Sequence, residues 1–264
     1  MIIDCHEHLP SVRITGSLAA SKNLLNEELR RNGIDHAILI PDNADKSEIG
    51  SLDEVLQLVE GDRRFSVMGT LDAQKRDWKL QTEKLGRLMV DERIVAVKIF
   101  PGHDPVYPTD RRLRRVCELC IQHDLPVVIH TGAGPKRPER ARYNDPKHIV
   151  KVARRFPALK IVIAHYFFPR VEYCYKATKA CANIYFDTSA LADDEVVAAT
   201  GQAVIRRVLS ATANERPSSV VFGTDYAMCS ISSHLRLIKS LDIDEKTRDR
   251  ILSKNAADLF HLRT

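Results

Sequence analysis

Eight short apolar, β-branched runs separated by amphipathic stretches predict an α/β protein: a single (β/α)8 barrel over residues 1–264, with extra helices at its C-terminal end. The runs lie at residues 2–6, 36–40, 65–71, 94–100, 126–131, 160–166, 184–189 and 220–225, and they read as strands buried on both faces of a parallel sheet. Spread over 264 residues, eight units take about 33 residues each, enough for one strand, one helix and their connections. No internal repeat or Pro/Gly linker divides the sequence. An open doubly wound sheet is the alternative architecture.

The helical stretches carry their own start and stop signals. Residues 23–31 stop short of Gly33, a residue suited to a helix terminus. Thr109 or Asp110 can cap a helix over 111–123, and Asp145 precedes Pro146, a capping residue followed by proline at the first helical position. Asp193 can cap a helix running toward Leu209, and residues 245–253 and 256–260 read as closing helices. Cys117 and Cys120 are three apart on 111–123, beside Leu113 and Val116, so they face the core; no second CxxC completes a zinc site. The other cysteines show no disulfide framework, which suits a reduced setting.

Composition narrows the function classes. Forty Lys and Arg against 35 Asp and Glu leave +5, spread along the chain as on solvated helix faces, so no nucleic-acid partner is expected. A hydrophobic content of 44% excludes wholesale disorder. No apolar run approaches the ~18 residues of a membrane span. Polar Asp4-Cys5-His6-Glu7-His8 falls where a signal peptide would have its apolar core. The expectation is a cytoplasmic protein with a small-molecule partner and no membrane partner, a homo-oligomer being left open.

Core strands should be apolar throughout, so polar residues at their C-terminal ends need a reason. The first run ends in Asp4-x-His6-x-His8, and a side-chain period of two puts all three on one face. Lys98 lies in Val97-Lys98-Ile99-Phe100-Pro101, and the next two runs end at His130 and His165. The eighth ends at Asp225. A barrel of this type gathers such strand ends at one mouth. Burying four imidazoles, a carboxylate and a lysine there without a common partner would cost several kcal/mol. A divalent cation removes that cost, because neutral imidazole and carboxylate are its ligands. His36, His123, His148 and His261 read as surface or packing residues, while His103 and His234 lie close enough to the strand ends to reach the mouth.

Together, Asp4-x-His6-x-His8, Lys98, His130, His165 and Asp225 resemble the metal signature of the amidohydrolase superfamily of TIM-barrel enzymes. Three longer stretches are similar to its amidohydrolase-related branch: Arg155-Phe156-Pro157 through His165, Ala182-Asn183-Ile184 through Ser189, and Lys254-Asn255-Ala256-Ala257-Asp258-Leu259-Phe260. The resemblance implies a metal-dependent hydrolase using a metal-activated water on a small amide, ester or lactone. The alternative it implies is a decarboxylase or hydratase of a small unsaturated or aromatic acid; a non-catalytic metal-binding barrel is a third reading. It implies one zinc-like divalent ion on His6, His8, His130 and Asp225, with His165 and Asp225 catalytic. If Lys98 is carboxylated it would bridge two ions, with His130 and His165 on the second. Otherwise Lys98 would be neutral, or would pair with Asp225 or with substrate.

Specificity is expected from the loops after the strands. The stretch 131–144 carries Lys136, Arg137, Arg140 and Arg142, which read either as a clamp for an anionic substrate or as an exposed basic loop. Tyr166, Phe167 and Phe168 are expected either to line an apolar or aromatic substrate pocket or to pack the loop. Their stretch, Tyr166-Phe167-Phe168-Pro169, departs from the small, Gly-containing segment usual in the branch.

Overall fold

The computed structural model describes residues 1–44, 46–132 and 137–262. Its strands are β1 (Ile3–Glu7), β2 (His36–Leu39), β3 (Phe65–Thr70), β4 (Ala96–Ile99), β5 (Val127–Ile129), β6 (Ile161–Ile163), β7 (Ile184–Asp187) and β8 (Val220–Val221). All pair in parallel and in sequence order. The β8–β1 seam is closed by two bonds, from Cys5 N–H to the Phe222 carbonyl (2.9 Å) and from Asp225 N–H to the His6 carbonyl (2.8 Å). The result is a (β/α)8 barrel with additional C-terminal helices.

The helices are α1 (Val12–Thr15), α2 (Leu18–Arg31), α3 (Leu52–Leu58), α4 (Trp78–Val90), α5 (Arg114–Gln122), α6 (Pro146–Arg155) and α7 (Val171–Thr178). They continue with α8 (Asp194–Thr200), α9 (Gln202–Glu215), α10 (Ile231–Lys239), α11 (Glu245–Asp249) and α12 (Asn255–Phe260). Asp145 caps α6 through Lys147 N–H with Pro146 in the first turn, and Asp193 caps α8. The helix expected to run from Asp193 toward Leu209 is broken at Gly201 (φ 90°), which separates α8 from α9. The stretch 111–123 begins as a 3-10 turn, Arg111–Leu113, before becoming α5. The two closing helices form one run, joined through a π turn at Arg250–Lys254. No helix is long and apolar enough to cross a membrane.

Alternation along the strands sorts the core into two layers. Inward-facing Ile3, Cys5, Ile38, Ile40, Met68, Ala96, Val128, Val162 and Val221 fill the barrel, and Ala256, Leu259 and Phe260 of α12 pack against them. Asn255 fixes that closing helix by donating to the Pro217 and Val220 carbonyls. Outward-facing Val97, Ile99, Val127, Ile129, Ile161, Ile163 and Phe186 pack against the surrounding helices, where Cys117 and Cys120 also lie. Two residues beyond Ala96 and Val128 on the inward face stand Lys98 and His130, so the interior changes from apolar to polar toward the strand C-termini.

β1 departs from strict alternation. Asp4 pairs with Ala37 and Glu7 with Leu39, so three steps on β1 match two on β2. This bulge overturns the expectation that Asp4 shares a face with His6 and His8. Cys5, His6 and His8 turn inward, whereas Asp4 and Glu7 turn outward toward Thr224. Asp4 Oδ1 accepts from Thr224 N–H (3.1 Å), and Glu7 Oε1 accepts from the Thr224 hydroxyl (2.6 Å).

Candidate metal centre

Side chains from six strand ends meet above the apolar filling: His6 and His8 after the bulge, then Lys98, His130, His165, Asp187 and Asp225. His6 and Lys98 are fully buried, and His8 and His130 are half-buried. Gly223 on the inward face of the last strand makes the crowding feasible, because a Cβ there would stand 2.8 Å from His6 Cβ. His165 does not continue its strand. It opens a turn in which His165, Tyr166 and Phe167 all have positive φ (61°, 51° and 58°). Three consecutive non-glycine residues in this region need outside support. Thr131 supplies part of it, donating to the Ala164 carbonyl and accepting from Phe167 N–H, and Asp187 accepts from His165 N–H (2.9 Å).

Among the described residues, two overlapping trios bring potential ligand atoms together, His6/His8/Asp225 and His6/His165/Asp187. Hydrogen bonding distinguishes them. In the second trio Asp187 is already saturated: Oδ2 meets His6 Nδ1 at 2.7 Å, and Oδ1 accepts from His165 N–H, Ser189 N–H and the Ser189 hydroxyl. In the first, His8 Nδ1 lies 2.7 Å from the Ile40 carbonyl, which can only accept, so that nitrogen carries the proton and Nε2 is left with a free lone pair. His8 Nε2 faces Asp225 Oδ1 at 3.7 Å, and Asp225 Oδ2 is 3.9 Å from His165 Nδ1. Both gaps exceed hydrogen-bond reach. Two ligands of a tetrahedral zinc, each ~2.1 Å from the ion, stand ~3.4 Å apart. The donor set at His6, His8 and Asp225 therefore fits a divalent ion and could hold one. His130 stands one contact further out, its Nδ1 3.2 Å from His165 Nε2 and its ring 4.3 Å from that of His103.

The electrostatics agree with neutral imidazoles around a cation site. Burial, reinforced by neighbouring positive groups, pushes His8, His130 and His165 well below the usual histidine range. Burial also pushes the Lys98 amine down to about 8, against the pull of Asp187 and Asp225. Its Nζ lies 3.2 Å from His6 Nε2. Burial raises Asp225, only partly offset by His6 and Lys98. Asp187 is equally buried, but His6, its hydrogen bond, His165 and Lys98 overcome that penalty and hold it well below the carboxylate range.

The expected substrate-binding residues do not gather in one place. Tyr166 is fully buried in the outer layer, its ring stacked on Phe186 at 4.3 Å and its hydroxyl bonded to Thr212 of α9. Phe167 is also in that layer, against Tyr173. Of the two readings weighed for them, the packing one matches their surroundings. Phe168 is the aromatic residue of this stretch beside the cluster, 6.2 Å from the His165 ring. In the basic loop, Arg142 covers the Tyr143 ring and donates to its hydroxyl. Arg137 is exposed. Burial, and then the charges of Lys98 and Arg140, lower the pKa of His103, whose ring stands against that of His130. Lys136 lies outside the described residues. His234 is buried between the Ser230 carbonyl and Ala192 N–H, away from the ligand set.

Sequence reasoning gave no role to Asp187, Ser189 or Gly223. Asp187 is a polar residue within the C-terminal half of the predicted run 184–189, so the rule that picked out His130, His165 and Asp225, extended from the last residue of a run to its C-terminal half, would have found it.

A model of the family described as amidohydrolase matches residues 3–262. No curated protein matches the sequence. Among solved structures, an uncharacterized TIM-barrel protein from Bordetella bronchiseptica is 23% identical with a TM-score of 0.79, over 99% of this chain and 98% of its own. The 5-carboxyvanillate decarboxylase of Sphingomonas paucimobilis is 18% identical with a TM-score of 0.69, over 99% of each chain. An amidohydrolase from Burkholderia multivorans, solved with bound zinc, is 15% identical with a TM-score of 0.70, again over 99% of each. At these identities the likeness is one of fold.

Proposed function

The chain belongs to the amidohydrolase family, and from that premise we propose that it is a metal-dependent hydrolase of a small amide, ester or lactone bearing a negative charge. The observation that carries the reading is the face-to-face arrangement of a free His8 Nε2 and a buried, under-partnered Asp225 carboxylate 3.7 Å apart. One divalent ion per chain, zinc by the chemistry of its donors, would be held by His6, His8 and Asp225, with His130 the next nitrogen available. Such an ion would supply Lewis acidity to a substrate oxygen and to a water.

The chain's own groups do the rest. Asp225 takes a proton from the attacking water and delivers it to the leaving group. His165, 3.9 Å from the other Asp225 oxygen and 3.2 Å from His130 Nδ1, orients His130 beside the site. Lys98 and Arg140 bring positive charge to the mouth and orient a substrate carboxylate. Those same two cations favour the second reading, decarboxylation or hydration of a small acid, because either reaction also needs a carboxylate held in place.

Zinc-loaded protein assayed against charged lactones, esters, amides and aromatic or unsaturated acids tests the choice. Hydrolysis of the first three classes supports the proposal, whereas carbon dioxide release or water addition would replace it with the second reading. The double variant His6→Ala/His8→Ala should lose both metal and activity. Two ion equivalents per chain would rule out the one-ion site. Arg140→Ala should raise KM for an anionic substrate about tenfold, the worth of one charge-assisted contact, and Arg142→Ala should leave KM unchanged.

A further inference from the structure

Asp187 is saturated with donors and so is poorly suited to bind an ion itself, yet it touches the histidines around the site. We infer that Asp187 is a positioning residue that, with Ser189, sets which ring nitrogen carries the proton on His6, His165 and His130. The ion-binding consequence rests on the reading above; the tautomer assignment does not.

The argument follows single hydrogens along a chain of contacts. Asp187 Oδ2 accepts from His6 Nδ1 at 2.7 Å, so the proton of a neutral His6 sits on Nδ1 and the Nε2 lone pair is free. Lys98 Nζ, 3.2 Å away, donates to that lone pair. The Ser189 hydroxyl donates its one hydrogen to Asp187 Oδ1. Its oxygen can then only accept, and His165 Nδ1 lies 2.9 Å from it, so His165 is also protonated at Nδ1. The Nε2 lone pair of His165 in turn accepts from His130 Nδ1 at 3.2 Å. One carboxylate thus gives three imidazoles the same tautomer. Both nitrogens of His165 are engaged; Nε2 of His130 remains available, and Nε2 of His6 keeps its lone pair, directed at Lys98, for an ion that displaces the amine. His8 reaches the same tautomer independently, through the Ile40 carbonyl.

Asp187→Asn tests this without changing shape. The oxygen side of the amide must stay where two backbone N–H groups and a hydroxyl donate, which turns the NH2 toward His6 Nδ1. His6 can then only accept there, and its proton moves to Nε2, the nitrogen an ion needs. Long-range proton–nitrogen NMR on metal-free protein reads the tautomers directly, and competition with a chromogenic chelator reads zinc affinity. The expected result is Nδ1–H on His6, His165 and His130 in the wild type, with His6 switched to Nε2–H in Asp187→Asn and zinc affinity about 10–100-fold weaker. Ser189→Ala should release His165 and His130 from a single tautomer while His6 keeps Nδ1–H, and it serves if the first variant fails to fold. Nε2–H on His6 in the wild type, or an unswitched His6 in folded Asp187→Asn, overturns the inference. A wild type that binds zinc no better than His6→Ala/His8→Ala overturns the metal reading instead, while the NMR result still decides the role of Asp187.

Discussion

Asp187 and Asp225 end neighbouring strands, face the same histidines and are both buried, at 1% and 7% exposure, yet their environments are opposite. Asp187 accepts from His6, His165 N–H and both donors of Ser189, and its pKa falls. Among the described residues Asp225 meets His8 and His165 only at 3.7 and 3.9 Å, and burial raises its pKa. Donor supply makes the difference: a carboxylate already satisfied by the fold serves as a clamp, while one left under-partnered is available to an ion, a proton or a substrate. The two should therefore respond oppositely to substitution. Asp225→Asn should lower kcat/KM by about 10³-fold, the upper range for losing a general base that also binds the ion. It should leave the metal-free protein as stable as the wild type or slightly more so, because a buried charge is removed. Asp187→Ala should cost about 3 kcal/mol in metal-free protein, since it strands several buried donors. Denaturant melts of the apo variants check both; equal losses from the two substitutions would break the contrast.

Close approach of backbones around the site gives a second, smaller contrast, between two glycines. A methyl at Gly223 would stand 2.8 Å from His6 Cβ. Gly223→Ala should therefore cost about 1–3 kcal/mol through overpacking and weaken zinc binding by displacing His6. Gly86, inside α4, would meet nothing nearer than Leu119 at 3.6 Å. Gly86→Ala should stabilise by about 0.5–1 kcal/mol, the gain of alanine over glycine in a helix, with zinc binding unchanged. Thermal melts and zinc titrations on both variants separate a site effect from a backbone effect.

How much of this was legible in the sequence depends on the range of the interaction involved. The eight strands, and the meeting of His6, His8, Lys98, His130, His165 and Asp225 at one end, follow from apolar runs closed by polar residues, which is local information. The outward turn of Asp4 was not legible. The bulge is defined only against the register of β2, and a strict period of two would put Asp4 inside. The placement of Tyr166 depends on the left-handed turn after β6, held by Thr131 and Asp187 from neighbouring strands. Arg140 and Arg142 share the 3-10 turn Pro138–Arg142, and what separates them, the Tyr143 ring under Arg142, is a contact that a count of basic residues does not contain.

The bulge also creates a third carboxylate environment, back to back with the metal site. Asp4 Oδ2 and Glu7 Oε2 are buried and find no donor among the described residues, and the two carboxyl groups lie against each other. Two buried carboxyl groups can stand so only if one keeps its proton. Burial, then the neighbouring Asp4, pushes Glu7 well above the usual range, and burial pushes Asp4 up to about 6. The folded chain therefore holds a proton that the unfolded chain releases above the ordinary carboxyl range. Stability from this pair is fully present at low pH and falls as pH rises from about 4 through 6 and beyond. Glu7→Gln replaces the titrating proton with a permanent N–H donor to Asp4 and keeps an oxygen for the Thr224 hydroxyl. The variant should match the wild type near pH 5 and exceed it by about 1 kcal/mol at pH 8. Zinc affinity should change less than twofold, because Glu7 faces away from His6 and His8. Denaturant melts of both metal-free proteins across that range measure the difference. A wild type that gains on the variant as pH rises would mean that the pair holds no proton at all.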